Sequence, residues 1–270
     1  MNKENKESHC CFCTNTDDFV PSARIHVPLA KKCSMGCAYC NYRLDKNISD
    51  EFNRPGVSSK TVTSAAEIET YVISAMERYL PNVVGVSGPG EALENFKQLE
   101  YLQLFLLENY PSVSLCICSN GRFFDMFADK LVTWKNLKYF TLTINSLNVE
   151  TIKKLYFSVH NDSDAERLIS NQTNAIRVLS KSGVKIKVNI VYIPGINDSE
   201  IEDICYQLDR IGVDCFNIIP VVYSSSDKLI EPSANYDIDQ NVEIVKTYLK
   251  EKNYKITCLC RRCRADFCGF

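Results

Sequence analysis

Three cysteines stand close together in the stretch KKCSMGCAYCNYR: Cys33, Cys37 and Cys40, with Tyr39 directly before the last. They follow an apolar run, IHVPLA, and so open a loop at the end of a candidate strand. Grouped thiolates suit soft metals and iron–sulfur clusters. Zinc takes four tetrahedral ligands and commonly uses paired Cys-x-x-Cys knuckles. A four-iron cubane normally takes four thiolates. Three thiolates on a cubane leave one iron open, and a small molecule that chelates this iron can accept an electron from the cluster. A zinc loop, or thiols buried for packing alone, is the alternative reading of the same residues.

The chain holds 14 cysteines in 270 residues. Cys10, Cys11 and Cys13 form one further group, and Cys258, Cys260, Cys263 and Cys268 another. Cys116, Cys118, Cys205 and Cys215 lie inside apolar stretches, where core packing accounts for them. The first residues, MNKENKES, are polar and lack the apolar core of a signal peptide. No apolar run approaches the roughly 18 residues that span a bilayer. The expected compartment is the cytosol, where clustered thiols read as metal ligands or redox groups. A net charge of −2 without a basic stripe gives no reason to expect nucleic acid as a partner, and none is expected at a membrane.

These residues need a scaffold. At 45% hydrophobic and 24% charged, the chain can bury a sizeable core. From residue 24, short β-branched runs alternate with helical patterns. Strands are expected at 24–30, 82–88, 114–120, 138–145, 184–194 and 214–222. Helices are expected at Thr63–Leu80, Phe96–Asn109, Phe123–Trp134, Asp164–Ser182, Ser199–Ile211 and Asp239–Lys252. Ser64 with Glu67, and Ser199 with Glu202, have capping-box spacing. This rhythm predicts an α/β fold with a parallel sheet, either doubly wound or an open partial barrel, since six units fall short of eight. The barrel is expected over 24–252, with cysteine-bearing extensions at 1–23 and 253–270.

In either architecture ligands bind beyond the C-terminal ends of the strands. Gly88, Gly90 and Glu91 follow the second strand. Small residues there let backbone approach a ligand and Glu91 can accept from an ammonium, although Gly-Pro-Gly is also a plain turn. Ser119 and Asn120 follow the third strand, Asn145 ends the fourth and Asn189 lies within the fifth. Each suits a hydrogen bond to ribose or carboxylate, and each equally suits capping its own turn.

Cys33, Cys37, Tyr39 and Cys40 resemble the C-x3-C-x-aromatic-C signature of the radical S-adenosylmethionine (SAM) superfamily. The resemblance implies a partial (β/α)6 TIM-like barrel and a 4Fe-4S cluster whose open iron is chelated by SAM. It implies reductive cleavage of SAM to methionine and a 5′-deoxyadenosyl radical. SGPGEAL then looks like the superfamily's glycine-rich motif for the SAM amino group.

Longer stretches are similar to the NifB family of nitrogenase cofactor-assembly proteins. RIHVPLAKKCSMGCAYCNYR, NRPGVSS, SGPGEAL, CICSNGR, TLTIN, KVNIVYIPGIND and CRRCRADFCG carry this resemblance, from about residue 9 to 270. It implies fusion of iron–sulfur clusters into a cofactor precursor, using additional clusters, a cluster-donor protein and an electron-donor protein. Cys11, Cys13, Cys118, Cys260 and Cys263 are the thiols expected to hold auxiliary or substrate clusters. Many family members add a cofactor-carrying domain, so a short form is expected. Two features depart from the pattern. The region that carries a His-His pair in the family reads DDFVPSA here, and a family cysteine is replaced by Lys46. A diverged radical SAM enzyme with one auxiliary cluster, or a non-catalytic iron–sulfur carrier, are the alternatives these departures leave.

Overall fold

The computed structural model describes residues 12, 24–30, 32–40, 61–86, 88, 90–221 and 237–257. Each expected apolar run contains a strand: β1 (Arg24–Val27), β2 (Val83–Val86), β3 (Ser114–Ser119), β4 (Leu137–Thr143), β5 (Lys185–Tyr192) and β6 (Cys215–Pro220). All neighbours pair in parallel, in the order β1-β2-β3-β4-β5-β6. β1 and β6 are not paired, so the sheet is an open, partial TIM-like barrel. Backbone of the C-terminal segment lines the β6 edge: Phe216 N donates to Lys255 O and Thr257 N to Phe216 O, both at 2.8 Å.

The helices are α1 (Ala65–Tyr79), α2 (Phe96–Asn109), α3 (Ala128–Leu131), α4 (Val149–Leu155), α5 (Asp162–Lys181), α6 (Ile201–Asp209) and α7 (Ile238–Glu251). α1 begins on the expected capping box, with Ser64 and Glu67 bonding each other's backbone. Two expectations need correction. Phe123–Trp134 is not one helix; a 3-10 turn at Phe124–Met126 and the single turn α3 bring Phe124, Leu131 and Trp134 inward together. The Ser199–Glu202 box does not form. Residues Asp198–Glu200 are 3-10, α6 starts at Ile201, and Glu202 instead accepts from the Tyr248 hydroxyl at 2.7 Å. α4 was not expected. Its Asn148 cap accepts from Glu150 N at 2.9 Å and Thr151 N at 3.2 Å, which stabilises a helix of only seven residues.

Side chains alternate across the sheet. Val27, Val86, Ile117, Phe140, Val188 and Ile218 join the main core with helical residues such as Val72, Leu102, Ile176 and Leu208. The alternate positions turn to the concave side and are polar or small. One row across the register reads Cys118, Thr141, Lys187, Cys215, and the row nearer the strand ends reads Thr143, Asn189, Asn217. At the opposite end Phe12 packs on Val83, Cys116 and Cys215, 5.0 Å from the Tyr139 ring. The ammonium of the fully buried Lys187 lies 5.3 Å from the Phe12 ring centre. Phe12 therefore closes the lumen at the N-terminal ends of the strands, leaving the C-terminal ends as the mouth.

Candidate active site

The cysteine loop follows β1 at the mouth, and backbone far along the chain shapes it. Ala38 N donates to Leu155 O at 2.9 Å, Phe157 N to Gly36 O at 2.8 Å and Ser158 N to Met35 O at 3.3 Å. This antiparallel contact pairs Cys37 with Tyr156, directly after α4. Gly36 takes φ +65, which a non-glycine residue resists. Met35 is buried in a second apolar cluster with Ile152, Leu155, Tyr156, Val159 and Leu168, and Cys33, Cys37 and Tyr39 pack against it. α4 thus anchors the loop by backbone and side chains together.

Cys33, Cys37 and Cys40 are all half-buried. Cys33 accepts from the Met35 backbone, and Asn120 Nδ2 lies 3.9 Å from its sulfur. Burial pushes the Cys33 thiol up to about 11, which favours the protonated form until a metal displaces the proton. Among the described residues no three His, Cys, Asp or Glu side chains converge as a single metal ion requires. A cubane needs no such convergence, because each thiolate takes a different iron. Three thiols on one loop, with two donors at the Cys33 sulfur, fit a cubane held by thiolates.

The β2–α2 connection braces this loop. Gly90 N donates to Ala30 O at 2.5 Å and Glu91 N to Lys32 O at 2.7 Å. A Cβ at Gly90 would lie 2.3 Å from Lys32 O and 2.6 Å from Ala30 O. The close approach Gly90 permits here is therefore to the backbone leading into Cys33. Gly88 takes φ +57 at the start of the same connection. Glu91 is buried and accepts from Ser119 Oγ at 2.6 Å, Asn120 N at 2.7 Å and Leu93 N at 3.0 Å. Burial outweighs these bonds and lifts its carboxyl from 4.5 to about 7. A carboxylate has about four lone-pair sites, so one remains for a further donor.

The other polar residues of the strand ends have protein partners as well. Ser119 Oγ accepts from Gly121 N at 2.9 Å, and Asn120 Oδ1 accepts from Arg122 N at 2.9 Å, so both also cap their own turn. Asn145 is fully buried. Its Nδ2 donates to the Tyr39 hydroxyl and, at 3.1 Å, to the Tyr156 hydroxyl, while its Oδ1 accepts from Val191 N at 2.8 Å. Asn189 lies lower in the lumen and accepts from Asn217 Nδ2 at 3.2 Å. Cys118 is half-buried beside Thr141. Cys11, Cys13, Cys260, Cys263 and Lys46 fall outside the described residues.

Two participants were not singled out from sequence. Tyr156 lies in an unexpected helix–loop junction that no pattern marked. Asn197 is fully buried and donates to Asn145 O and Val191 O, both at 2.8 Å, while accepting from Ile193 N at 2.8 Å. Its IPGIND setting was visible as a motif, but not as the splint of β4 to β5.

A family model described as Radical SAM superfamily matches residues 27–207. The FeMo cofactor biosynthesis protein NifB of Chlorobaculum tepidum is 32% identical over 278 residues, covering 98% of this chain and 62% of that protein. The protein of the same name from Methanocaldococcus jannaschii is 30% identical, covering 97% of this chain and 85% of its own length. For the Klebsiella pneumoniae relative, at 31% identity, the chain spans 54% of its length. Among solved structures, Streptococcus suis SuiB bound to S-adenosylmethionine superposes with a TM-score of 0.60 at 17% identity, covering 87% of this chain and 49% of that one. Methylornithine synthase (PylB) gives 0.59 at 14% identity, covering 86% and 63%. At such identities these structures speak to the fold, and the fold they share is the open barrel described above. No helix among the described residues is long and apolar enough to cross a membrane. By a family match that takes in the cysteine loop and four of the six strands, and by relatives aligned along nearly its whole length, the chain belongs to the radical SAM superfamily and, within it, to the NifB family.

Proposed function

We propose that the chain cleaves SAM reductively at a 4Fe-4S cluster held by Cys33, Cys37 and Cys40, and that it assembles or modifies an iron–sulfur precursor of a nitrogenase-type cofactor. The observation that carries the first part is the loop itself: three half-buried thiols at the barrel mouth, with Met35 N and Asn120 Nδ2 directed at Cys33. When bound, the cluster and SAM supply one-electron cleavage of the SAM sulfonium. The chain's residues hold and shield that chemistry. Glu91 has one acceptor site left for the SAM amino group, Ser119 and Asn120 orient Glu91, and Gly88 and Gly90 bring the second-strand connection against the loop. The packing cluster under Met35 keeps water from beneath the loop. Asn145 is occupied by protein partners, which suits it to holding Tyr39 rather than to touching SAM.

The second part rests on the relatives named above and on thiols beyond the loop. Cys118 faces the lumen, and Cys11 and Cys13 are the sequence neighbours of Phe12. Cys260 and Cys263 complete the set proposed for further clusters, which a cluster-donor protein and an electron-donor protein would serve. A diverged enzyme with another substrate is the second reading, favoured by Lys46 and by the missing histidine pair. Anaerobic reconstitution with iron and sulfide separates the readings. The cofactor reading expects clearly more than about four irons per chain, 5′-deoxyadenosine formation that Cys33→Ala, Cys37→Ala or Cys40→Ala abolishes, and rescue of a strain lacking NifB. SAM cleavage with no rescue and only one extra cluster favours the diverged enzyme. Wild-type SAM cleavage by any of the three alanine variants refutes the assignment of the loop.

A further inference from the structure

The turn after β3 is tied to three other parts of the fold, and it aims one amide at the cysteine loop. Asn120 Nδ2 lies 3.9 Å from the Cys33 sulfur. The oxygen of that amide is engaged elsewhere: Oδ1 accepts from Arg122 N at 2.9 Å. Exchanging the two ends of the amide would set its NH2 group against this backbone N–H, so the bonding pattern fixes which end faces the sulfur. The Asn120 backbone is held at both of its polar atoms. Its N donates to Glu91 Oε2 at 2.7 Å, and its O accepts from Gln172 Nε2 at 2.8 Å. Gln172 is buried on α5 and also donates to Thr143 O at 3.2 Å. Gly121 takes φ +78, and a Cβ there would lie 2.9 Å from Gln172 Cγ, so turn and glutamine fit together only through a glycine.

The sulfur side of the contact is fixed as well. Ser34, next to Cys33, donates to Glu94 Oε1 from its N at 2.5 Å and from its Oγ at 2.8 Å. Its carbonyl accepts from Arg122 Nη1 at 3.2 Å. Arg122 therefore ties the turn that carries the donor to the loop that carries the sulfur. A neutral thiol is a weak acceptor, which suits a contact as long as 3.9 Å. Once Cys33 ligates iron it is a thiolate, and a charged acceptor takes the stronger hydrogen bond. An amide keeps its protons at every working pH, so the donor is present in both redox states of a cluster.

Hydrogen bonds to cluster sulfurs are one of the settings of an iron–sulfur potential. We propose that Asn120 tunes the cluster: from a turn locked by Glu91, Arg122 and Gln172, its amide donates to the Cys33 thiolate and raises the reduction potential. Reduction adds one electron to the cluster and negative charge to its ligands, so the bond is stronger in the reduced form. Removing the donor weakens the reduced form more than the oxidised one. This inference rests on the proposal that Cys33, Cys37 and Cys40 hold the cluster. It gives the Asn120 side chain to the cluster rather than to the ribose or carboxylate of SAM.

Wild-type protein, Asn120→Ala and Asn120→Ser, all reconstituted anaerobically, are compared without SAM in an EPR-monitored titration with dithionite and redox mediators. Serine keeps a side-chain oxygen that can accept from Arg122 N, as it does in such turns, but is too short to reach the sulfur. Both variants are expected to weaken reduction about tenfold, which for a one-electron couple is about 59 mV more negative. A shift in Asn120→Ala beside a wild-type potential in Asn120→Ser would trace the effect to the lost turn bond and overturn the proposal. Unshifted potentials in both variants overturn it too. Weaker SAM binding by those same proteins in calorimetry would then assign the amide to SAM. If Asn120→Ala holds no cluster, Asn120→Ser decides alone. A wild type that binds no cubane at all overturns the cluster assignment instead, which the iron count reports separately.

Discussion

Gly90→Ala is the sharpest test of how the cysteine loop is held. An added Cβ would lie 2.3 Å from Lys32 O, 2.6 Å from Ala30 O and 2.7 Å from Lys32 C. All three are backbone atoms, so no side chain can swing away. Either the β2–α2 connection or residues 30–32 must retreat, and both bonds between them are lost: Gly90 N to Ala30 O and Glu91 N to Lys32 O. Two backbone hydrogen bonds contribute about 1 kcal/mol each, and overpacking costs about 1–3 kcal/mol more. The local penalty is therefore about 3–5 kcal/mol, against a total stability of about 5–15 kcal/mol for an ordinary domain. The barrel should survive while the segment feeding Cys33 detaches, because β1 is only four residues long and pairs on one side. The assay is iron per chain after anaerobic reconstitution, alongside far-UV circular dichroism. Gly90→Ala should keep its secondary structure and hold less than about half of the wild-type iron. Gly183→Ala is the control. It takes φ +81 with nothing within 4 Å of the new Cβ, so it costs about 1–2 kcal/mol of backbone strain and should leave iron binding unchanged. Full iron in Gly90→Ala, or equal losses in both variants, would refute the bracing argument.

Other consequences follow from buried polar groups and from the lumen floor. Asn145→Leu strands two phenols and Val191 N, and should lower unfolding stability by about 3 kcal/mol or more in urea titrations. Burial raises the Glu91 carboxyl from 4.5 to about 7, so folding favours its protonated form. The stability this contributes is complete below about pH 4.5 and is lost as pH rises through about 7. Cluster-free protein should lose up to about 3 kcal/mol between about pH 5 and pH 8, and Glu91→Gln should flatten that slope; parallel slopes would contradict the assignment. Phe12→Ala empties the plug between Tyr139 and Cys215 and should cost about 3–5 kcal/mol in the same titration.

Strands were legible because a parallel sheet covered by helices needs apolar residues at every outward position, and runs such as KIKVNIVY supply them. The same run hid Lys187 and Asn189, whose inward direction appears only once the register is known. The cysteine loop was legible because its thiols are neighbours in sequence. Glu91, Ser119, Asn120 and Asn145 were recognisable as strand-end polar residues, but their partners were not. A carboxyl bonded across two strand ends, or an amide shared by two phenols, depends on contacts across many residues, and residue type alone is equally compatible with binding SAM. The Ser199–Glu202 pair shows the opposite failure. Its spacing satisfied a local rule, yet Tyr248 of α7 competes for Glu202 and the turn tightens to 3-10 instead.

The anchoring of Met35, Gly36 and Ala38 by Leu155, Phe157 and Ser158 also has a meaning in time. During synthesis the three thiols leave the ribosome well before the backbone that will shape them. More than a hundred residues separate Cys40 from Ser158, a delay on the order of ten seconds at ordinary elongation rates. Until then Gly36 O has no Phe157 N–H, Cys37 has no partner strand, and Tyr39 has neither Asn145 nor Tyr156. A loop shaped this late would take up a cluster on the folded barrel rather than as a nascent segment.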